Sequence, residues 1–447
     1  MTELGVGIED RFEAYVEALS GVFGHADRMR PFHDYCRGLL LPGERKSVEP
    51  MAAVVAPDRV SAKHQSLLHF VGQADWSDAK LLAKVRELVL PALERSGGIE
   101  AWIVDDSGIP KKGVHSVGVA RQYCGRLGKQ DNCQVAVTLS VANHAASLPV
   151  AHRLYLPEAW TRDEARRAKA GVPAEVTFKT KPEIAIDQIR AALADGIAPG
   201  VVLADAAYGW NGSFRAAITA AGLIYAVAVQ SNASVWPPDV VPLPAKPWSG
   251  HGRPPSQLRR GPGHKPLSAK DLAMSRPEAF ITLTWREGSN APLSSRFAAF
   301  RVRPADRRAK LLPEEWLLVE WPQGEAEPTQ YWLSTLPEDT GLDTLVDLAK
   351  LRWRIERDYQ ELKSELGLAH YEGRGWRGFH HHATLTIAAY GFLIRERAAL
   401  PPSAAKIRQI AAVSIRPRPR GAPDPAGTSR AKLNRYSAKA AHRRPGN

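Results

Sequence analysis

The chain lacks the features that mark secreted, disulfide-stabilised or membrane-spanning proteins. Its 447 residues include only three cysteines, Cys36, Cys124 and Cys133, an odd number without a zinc-type pair spacing. No apolar run reaches the roughly 18 residues that a spanning helix needs, and the first residues have no basic start or apolar core of a signal peptide. We therefore expect reduced thiols, a cytoplasmic location and no membrane partner.

Negative charge is also scarce. The chain has 60 Lys and Arg residues against 47 Asp and Glu residues, which gives a formal net charge of +13. Such a surface attracts polyanions in a salt-dependent way. Because no membrane-targeting segment is evident, the excess positive charge favours nucleic acid as the partner.

The composition divides the chain into five segments. Periodic apolar positions predict a helical N-terminal module, and short strands that alternate with helices predict an α/β core built on a mixed sheet. A stretch rich in Pro, Gly and Arg, followed by alternating runs, predicts a basic β-rich insertion, after which the core resumes. A basic tail rich in Pro and Gly is predicted to be disordered. The predicted segments are 1–98, 99–230, 231–330, 331–400 and 401–447.

Three acidic sites fall at informative places in this pattern. The run AWIVDD brings Asp105 and Asp106 to the end of the first core strand, and VVLAD ends a later strand at Asp205. A long helix is predicted from about residue 342 to 366, and 100° per residue gives it two adjacent stripes. Its apolar stripe is Leu348, Leu351, Ile355, Leu362 and Leu366; its polar stripe is Arg352, Glu356, Tyr359 and Lys363.

These acids suggest a metal-dependent site. Neighbouring strand ends converge at one edge of an open sheet, so Asp105 or Asp106, Asp205 and Glu356 are predicted to meet. Three carboxylates repel one another unless divalent cations lie between them, and oxygen-only ligands select Mg²⁺ or Mn²⁺. Two such ions can activate a water or a 3′-hydroxyl and stabilise the leaving oxygen of a phosphodiester. The nearby cations are interpreted as phosphate clamps; they are Lys111, Lys112, Arg352 and Lys363.

Other interpretations of single residues stay open. A lone Asp at a strand end is usually a turn or cap residue, and Asp106 is favoured as a hydrogen-bonding turn acid over a metal ligand. Tyr359 has no assigned role. Trp236 and Trp248 could stack on unpaired bases or pack in a core. His380–His382 point in different directions on a helix, so surface or phosphate contacts are favoured over a metal site.

Three blocks of the sequence resemble a known family. They are DDSGIPKKGVHSVGVARQYCGRLGKQDNCQVAV, ADAAYG and RWRIERDYQELKSELGLAHYEGRGWRGFHHH, and they are similar to the DDE transposases of bacterial insertion sequences. The resemblance extends over roughly 102–397. One subgroup carries Tyr, two residues, Arg, three residues, Glu, six residues and Lys on its Glu helix. Arg352, Glu356 and Lys363 match that spacing, whereas the Tyr position is Ala349.

The resemblance implies an RNase H-like catalytic core interrupted by a β-rich insertion between the second and third acids. It implies Asp105, Asp205 and Glu356 as catalytic and metal-binding residues, with Asp105 preferred because similar first blocks read Asp-Glu-Thr-Gly. Two Mg²⁺ ions, replaceable by Mn²⁺, are implied as cofactors. The implied activity is cleavage at the terminal inverted repeats of an insertion sequence and joining to target DNA, by a dimer on double-stranded DNA in the bacterial nucleoid.

Two alternatives belong beside this hypothesis. The chain could be a catalytically silent repressor that binds element ends, or an RNase H-like nuclease without strand transfer. The presence of all three acids and both basic partners argues against a decayed catalytic core.

Overall fold

The structure, a computed structural model, describes residues 7–286, 292–305 and 311–399. The predicted basic tail, 401–447, lies outside these residues. The helices are α1 Ile8–Ser20, α2 Ala26–Leu40, α3 Val48–Val55, α4 Val60–Gly72, α5 Asp78–Arg95, α6 Glu158–Thr161, α7 Glu164–Ala170, α8 Lys181–Ala194, α9 Ala206–Gly209, α10 Gly212–Ala220, α11 Ala269–Met274, α12 Leu342–Leu351, α13 Trp353–Gln360 and α14 Trp376–Ala399.

The strands are β1 Ala101–Pro110, β2 Ala120–Cys124, β3 Lys129–Ala142, β4 Ser147–Leu154, β5 Val201–Ala204, β6 Tyr225–Val229, β7 Ser234–Trp236, β8 Leu267–Ser268, β9 Ile281–Arg286, β10 Leu293–Pro304, β11 Glu315–Glu320 and β12 Gln330–Ser334. Among the described residues, none of the helices is long and apolar enough to cross a membrane. Cys36, Cys124 and Cys133 are buried free thiols.

The N-terminal region is helical, as predicted, and α1, α2, α4 and α5 pack against α14. The Tyr15 hydroxyl donates to the carbonyl of Ala388 at 2.9 Å, and Arg11 pairs with Glu396. Helix α14 is buried around most of its circumference, which is typical of a helix with apolar residues on all sides. The N-terminal helices therefore share their hydrophobic core with the rest of the chain.

The predicted mixed sheet is present. Strand β1 is antiparallel to β3 and parallel to β5, and β5 is parallel to β6. Strand β12 returns from the predicted insertion and pairs antiparallel to β6, followed by β11 and β10. The strands of the β-rich segment thus continue the core sheet.

A second hydrophobic cluster attaches this added half of the sheet to α12. Ala349, which occupies the Tyr position of the subgroup signature, packs there with Phe297, Leu318 and Trp332. At this position the side chain faces the β-rich half of the sheet.

The long helix predicted from about residue 342 to 366 is interrupted, which corrects the prediction. Helix α12 ends at Leu351, and the Ile355 amide bonds the Arg352 carbonyl at 3.1 Å, a tight i to i+3 turn. The last turn, Glu361–Glu365, is π-helical. A uniform 3.6-residue period contains no signal for either change, because both depend on what the helix packs against.

The first core strand is also longer than predicted. Strand β1 continues to Pro110 because β3 pairs with it over that whole length. Asp105 and Asp106 therefore lie within β1, and only its parallel pairing with β5 ends just before them, at Val104 and Ala204.

Candidate active site

Strand register brings Asp105 and Asp205 next to each other. Val104 pairs with Ala204 in the parallel β1–β5 ladder, so the following residue of each strand is an aspartate. Neighbouring strands are about 4.8 Å apart, and residues in register point to the same face of a sheet. Burial has the largest effect on the pKa of Asp105 and raises it. Arg352 lowers this pKa, and the negative charge of Asp205 raises it.

The Asp105 carboxylate is buried and only partly compensated. Its side chain accepts a hydrogen bond from Arg352 Nη2 at 2.8 Å and one from the Asp106 amide at 2.8 Å. Burial nevertheless raises the pKa of Asp105 to about 6, because the loss of hydration outweighs the attraction of Arg352. A further cation beside this carboxylate would stabilise its charged form.

Asp205 ends β5 and caps the next helix. Its Oδ1 accepts hydrogen bonds from the amides of Ala207 at 2.9 Å and Tyr208 at 3.3 Å, so it is the N-cap of α9. The alternative interpretation of a strand-end Asp as a capping residue is thus correct for Oδ1 of Asp205. Helix α9 lies tight against β6, since a Cβ on Gly209 would lie 1.9 Å from the Ala228 carbonyl oxygen.

Glu356 lies on α13, and its side chain is exposed. Within the described ranges it has no hydrogen bond or ion pair. Burial alone would lower the pKa of Arg352, but the carboxylates of Asp105, Asp205 and Glu356 together raise it. Arg352, at the junction of α12 and α13, therefore bonds to Asp105 and is also affected by the charges of Asp205 and Glu356.

The charges of all three acids act on Arg352, but the acids do not form a closed metal cage. Among the described residues, no three His, Cys, Asp or Glu side chains are grouped closely enough to hold one ion. The donor set is nevertheless made of carboxylate oxygens, which suit Mg²⁺ and Mn²⁺. Loading of such ions would require the carboxylates to draw closer together.

Asp106 points to the opposite face of the sheet from Asp105, as alternation along a strand requires. Its Oδ2 accepts from Lys181 Nζ at 2.6 Å. The expectation of a turn acid is wrong, because β1 continues through this position. The ion pair gives Asp106 a structural partner away from Asp205.

The four predicted phosphate clamps differ in availability. Arg352 is occupied by Asp105, and Lys111 Nζ donates to the Tyr371 carbonyl at 2.6 Å, where burial lowers the pKa of Lys111 to about 8. Lys363 Nζ lies 4.9 Å from the centre of the Tyr359 ring, and burial lowers its pKa. Lys112 is exposed and has no partner among the described side chains.

Tyr359 lies beside Asp105. Its hydroxyl hydrogen-bonds to Thr138, which is the β3 residue paired with Asp105. Burial raises the pKa of Tyr359 well above its ordinary value, so the phenol is neutral. This contact joins α13 to the sheet next to the acids.

Asp358 was missed by the sequence analysis. It is 3% exposed, and it accepts hydrogen bonds from Ser147 and, at 2.8 Å, from Tyr390. Burial raises the pKa of Asp358 to about 7. The signal was present, because Asp358 lies on the apolar stripe, three residues after Ile355 and four before Leu362.

Two further predictions concern aromatic and histidine side chains. Trp236 is 1% exposed and so presents no ring face to a base in this structure, whereas Trp248 is 55% exposed. The surface role expected for His380–His382 is wrong for His381 and His382, which are buried with their Nε2 atoms bonded to backbone carbonyls. Burial lowers the pKa of both to about 4.

The Tyr208 hydroxyl is a second group that the sequence did not predict. Tyr208 is 1% exposed, and its hydroxyl has no hydrogen-bond partner within the described part of the chain. Burial has the largest effect on the pKa of Tyr208 and raises it. The negative charges of Asp106 and Asp105 raise this pKa further, which indicates that the hydroxyl is close to these acids. Such an unsatisfied buried group is unusual in a folded protein.

Replacing Tyr208 by Phe should leave the free energy of unfolding of the metal-free protein unchanged or raise it by up to about 1 kcal/mol. The substitution removes a buried polar group without breaking a hydrogen bond. Tyr390→Phe is the matched control, because that hydroxyl donates to Asp358; it should cost about 1–3 kcal/mol. Urea denaturation measures both. Equal losses in the two variants would contradict the view that the Tyr208 hydroxyl is unpaired.

Comparisons with known proteins identify the family of the chain. A family model described as DDE superfamily endonuclease matches residues 18–292, more than half of the chain. That match includes Asp105 and Asp205 and ends before Glu356.

A probable transposase for insertion sequence element IS701 from Microchaete diplosiphon is 34% identical over 190 residues, which are 42% of this chain and 46% of that protein. The chain thus matches less than half the length of this relative. The chain was also compared with a cryo-EM structure of a piggyBac transposase synaptic complex with hairpin DNA. The match covers 92% of this chain and 80% of the transposase chain, at 8% sequence identity. Its TM-score of 0.35 is too low to establish a common fold. On the family match, the chain belongs to the DDE superfamily of endonucleases.

Proposed function

We propose that the chain is a transposase that cleaves DNA at the terminal inverted repeats of an insertion sequence and joins the ends to target DNA. The observation that carries the proposal is the β1–β5 register, because Asp105 and Asp205 directly follow a paired position of this ladder. Arg352 supports it, since its side chain bonds to Asp105 and its pKa is raised by the charges of all three acids. The similarity to an insertion-sequence transposase supports the same activity.

The catalytic core is proposed to be RNase H-like. Strands β4, β3 and β1 form an antiparallel series, and β5 and β6 continue parallel to β1. The acids then come from the centre of the sheet and from a helix packed on it. The chain between Asp205 and Glu356 carries the added strands, in keeping with an insertion between the second and third acids.

Asp105, Asp205 and Glu356 would hold two divalent ions, Mg²⁺ or in its place Mn²⁺. When bound, these ions would activate the attacking oxygen and stabilise the leaving oxygen. A water or 3′-hydroxyl oxygen forms the new bond to phosphorus as the bond to the 3′-oxygen of the cut strand breaks. Arg352 is the residue that keeps the buried Asp105 carboxylate charged before ions arrive.

The other proposed DNA contacts are graded by their availability. Lys112 is free to meet a phosphate, and Lys363 and Arg352 lie close to Asp105. Lys111 would first have to leave the Tyr371 carbonyl. Trp248 is the exposed candidate for base stacking. Because both ends of an element must be joined, the active assembly on DNA is proposed to be a dimer.

A strand-transfer assay tests the proposed function. Pre-cut element ends are incubated with the protein, Mg²⁺ or Mn²⁺ and a supercoiled plasmid; joined products are expected. Nicking without joining would favour an RNase H-like nuclease, and duplex binding without nicking would favour a silent repressor. The end sequences come from the DNA flanking the gene, where inverted repeats bounded by short direct repeats are expected.

A further inference from the structure

A groove beside the Tyr371 loop has the character of an anion-binding surface. We call it the 374 groove. It lies between the end of α4, the end of α7, the loop at 371–375 and the start of α14, and it encloses about 670 Å³. None of the acids of the proposed active site lines it.

The charge of the 374 groove has one sign. Its lining includes the cations Lys169, Arg374 and Arg377 and contains no Asp or Glu. Gln65 and Gln73 add uncharged polar groups. A concave surface with several cations and no carboxylate concentrates positive potential, which attracts polyanions.

Two of these cations are available. Lys169 and Arg374 are exposed, and neither side chain has an ion pair or hydrogen bond within the described ranges. Arg377 is partly occupied, since it donates to the Gln73 carbonyl at 2.9 Å and lies 3.6 Å from Asp75. Lys169 and Arg374 can therefore bind a ligand without breaking existing contacts.

Tyr371 packs closely against two glycines in the wall of the groove. A Cβ at Gly373 would lie 2.0 Å from the Tyr371 hydroxyl oxygen, and one at Gly378 would lie 1.8 Å from the same atom. Packing against Tyr371 thus requires both residues to lack side chains. Tyr371 therefore fills the space at these two positions, and Arg374 follows Gly373 in the same wall of the groove.

The groove wall is also bonded to the segment that follows the first acid strand. The Val117 amide donates to the Arg374 carbonyl at 3.0 Å, and Lys111, directly after β1, holds the Tyr371 carbonyl. A ligand on the 374 groove would therefore be fixed relative to the strand that carries Asp105.

We propose that the 374 groove binds the phosphodiester backbone of duplex DNA at a position separate from the acids. The groove supplies free cations and polar donors, which are the groups that contact phosphate oxygens without reading sequence. The inference rests on the proposed function only in taking DNA as the partner. It gives the chain a second, sequence-independent hold on the duplex.

Duplex binding as a function of salt tests the proposal. The full chain and its Lys169→Glu/Arg374→Glu variant are titrated into a labelled duplex of scrambled sequence, with a chelator to prevent cleavage. The loss of two phosphate contacts should reduce the slope of log K against log [KCl] by about 1.8, at roughly 0.9 per contact. Affinity at moderate salt should fall by about tenfold or more.

The matched control is Arg95→Glu/Arg190→Glu, which reverses two exposed cations outside the groove. A smaller change in slope is expected, and equal changes in the two double variants would overturn the proposal. Lys169→Gln/Arg374→Gln, together with a thermal melt, excludes misfolding as the cause of a loss.

The result is separable from a failure of the proposed function. If the unaltered chain binds the duplex and the groove variant behaves like the control, only the groove assignment is overturned. If the groove variants show the reduced salt dependence of binding but the unaltered chain joins no DNA ends, the DNA-binding role of the 374 groove is supported and the transposase proposal fails. Absence of any duplex binding would overturn both.

Discussion

Replacing Glu356 by Gln is expected to reduce metal-dependent DNA cleavage by about a thousandfold or more while duplex affinity stays unchanged. The substitution removes the charge of a proposed ion ligand, and metal-ion stabilisation of the transition state is worth several kcal/mol. Glu356 is exposed and forms no hydrogen bond or ion pair with another described residue, so the fold should not depend on its charge. Nicking of a supercoiled plasmid in Mg²⁺ and in Mn²⁺ measures the effect.

Two further variants sharpen this test. Asp205→Asn should lose cleavage to a similar extent without loss of stability, because Asn replaces Asp well as the N-cap of α9. Glu365 is an exposed glutamate of the following π-helical turn, and the Glu365→Gln variant is the control, which should cleave DNA as the unaltered chain does. Retained cleavage by Glu356→Gln would remove this residue from the proposed catalytic set.

Replacing Lys350 by Met is expected to lower the free energy of unfolding by about 3–5 kcal/mol. Lys350 Nζ donates to Glu320 Oε2 at 2.6 Å; Glu320 is buried and Lys350 is mostly so, with side-chain exposures of 8% and 13%. The ammonium also lies 4.9 Å from the centre of the Trp285 ring and 5.4 Å from that of Trp332. Removal of Lys350 leaves an uncompensated buried carboxylate, which is the costly step.

The double variant Lys350→Met/Glu320→Leu should recover much of that stability, since no buried charge then remains. Urea denaturation of the single and double variants forms a double-mutant cycle. The exposed pair Arg162 and Glu158, four residues apart on the surface, is the control and should couple by less than about 0.5 kcal/mol. A loss below about 1 kcal/mol on removing Lys350 would show that the buried pair does not hold α12 to β11.

The pair has a bearing on the site because α12 leads directly into Arg352. Lys350 fixes the end of α12 against the added half of the sheet, and two residues later Arg352 turns toward Asp105. A loosened α12 would therefore also move Arg352, the cation that bonds to Asp105. We expect the Lys350→Met variant to cleave DNA more slowly than the unaltered chain, by more than the loss of folded protein accounts for.

Several parts of the fold were predictable because they depend on local pattern. The runs that contain Asp105 and Asp205 are strands, and the apolar stripe at Leu351, Ile355 and Leu362 is buried. Short apolar runs and 3.6-residue periodicity encode these features directly. The break at Arg352 and the extension of β1 to Pro110 were not predictable, since both depend on partners far away in the chain.

The sequence by itself determined which acids are present, that Asp105 and Asp106 follow an apolar strand, and that Glu356 lies on a helix beside an apolar stripe. Only the tertiary structure decided which face meets β5, that Arg352 is held by Asp105, that Lys111 is occupied by Tyr371, and that the Tyr208 hydroxyl is buried without a partner. The reason is physical. Periodicity fixes the relative directions of neighbouring side chains, whereas burial, charge compensation and hydrogen bonding arise from residues that meet only when the chain has folded.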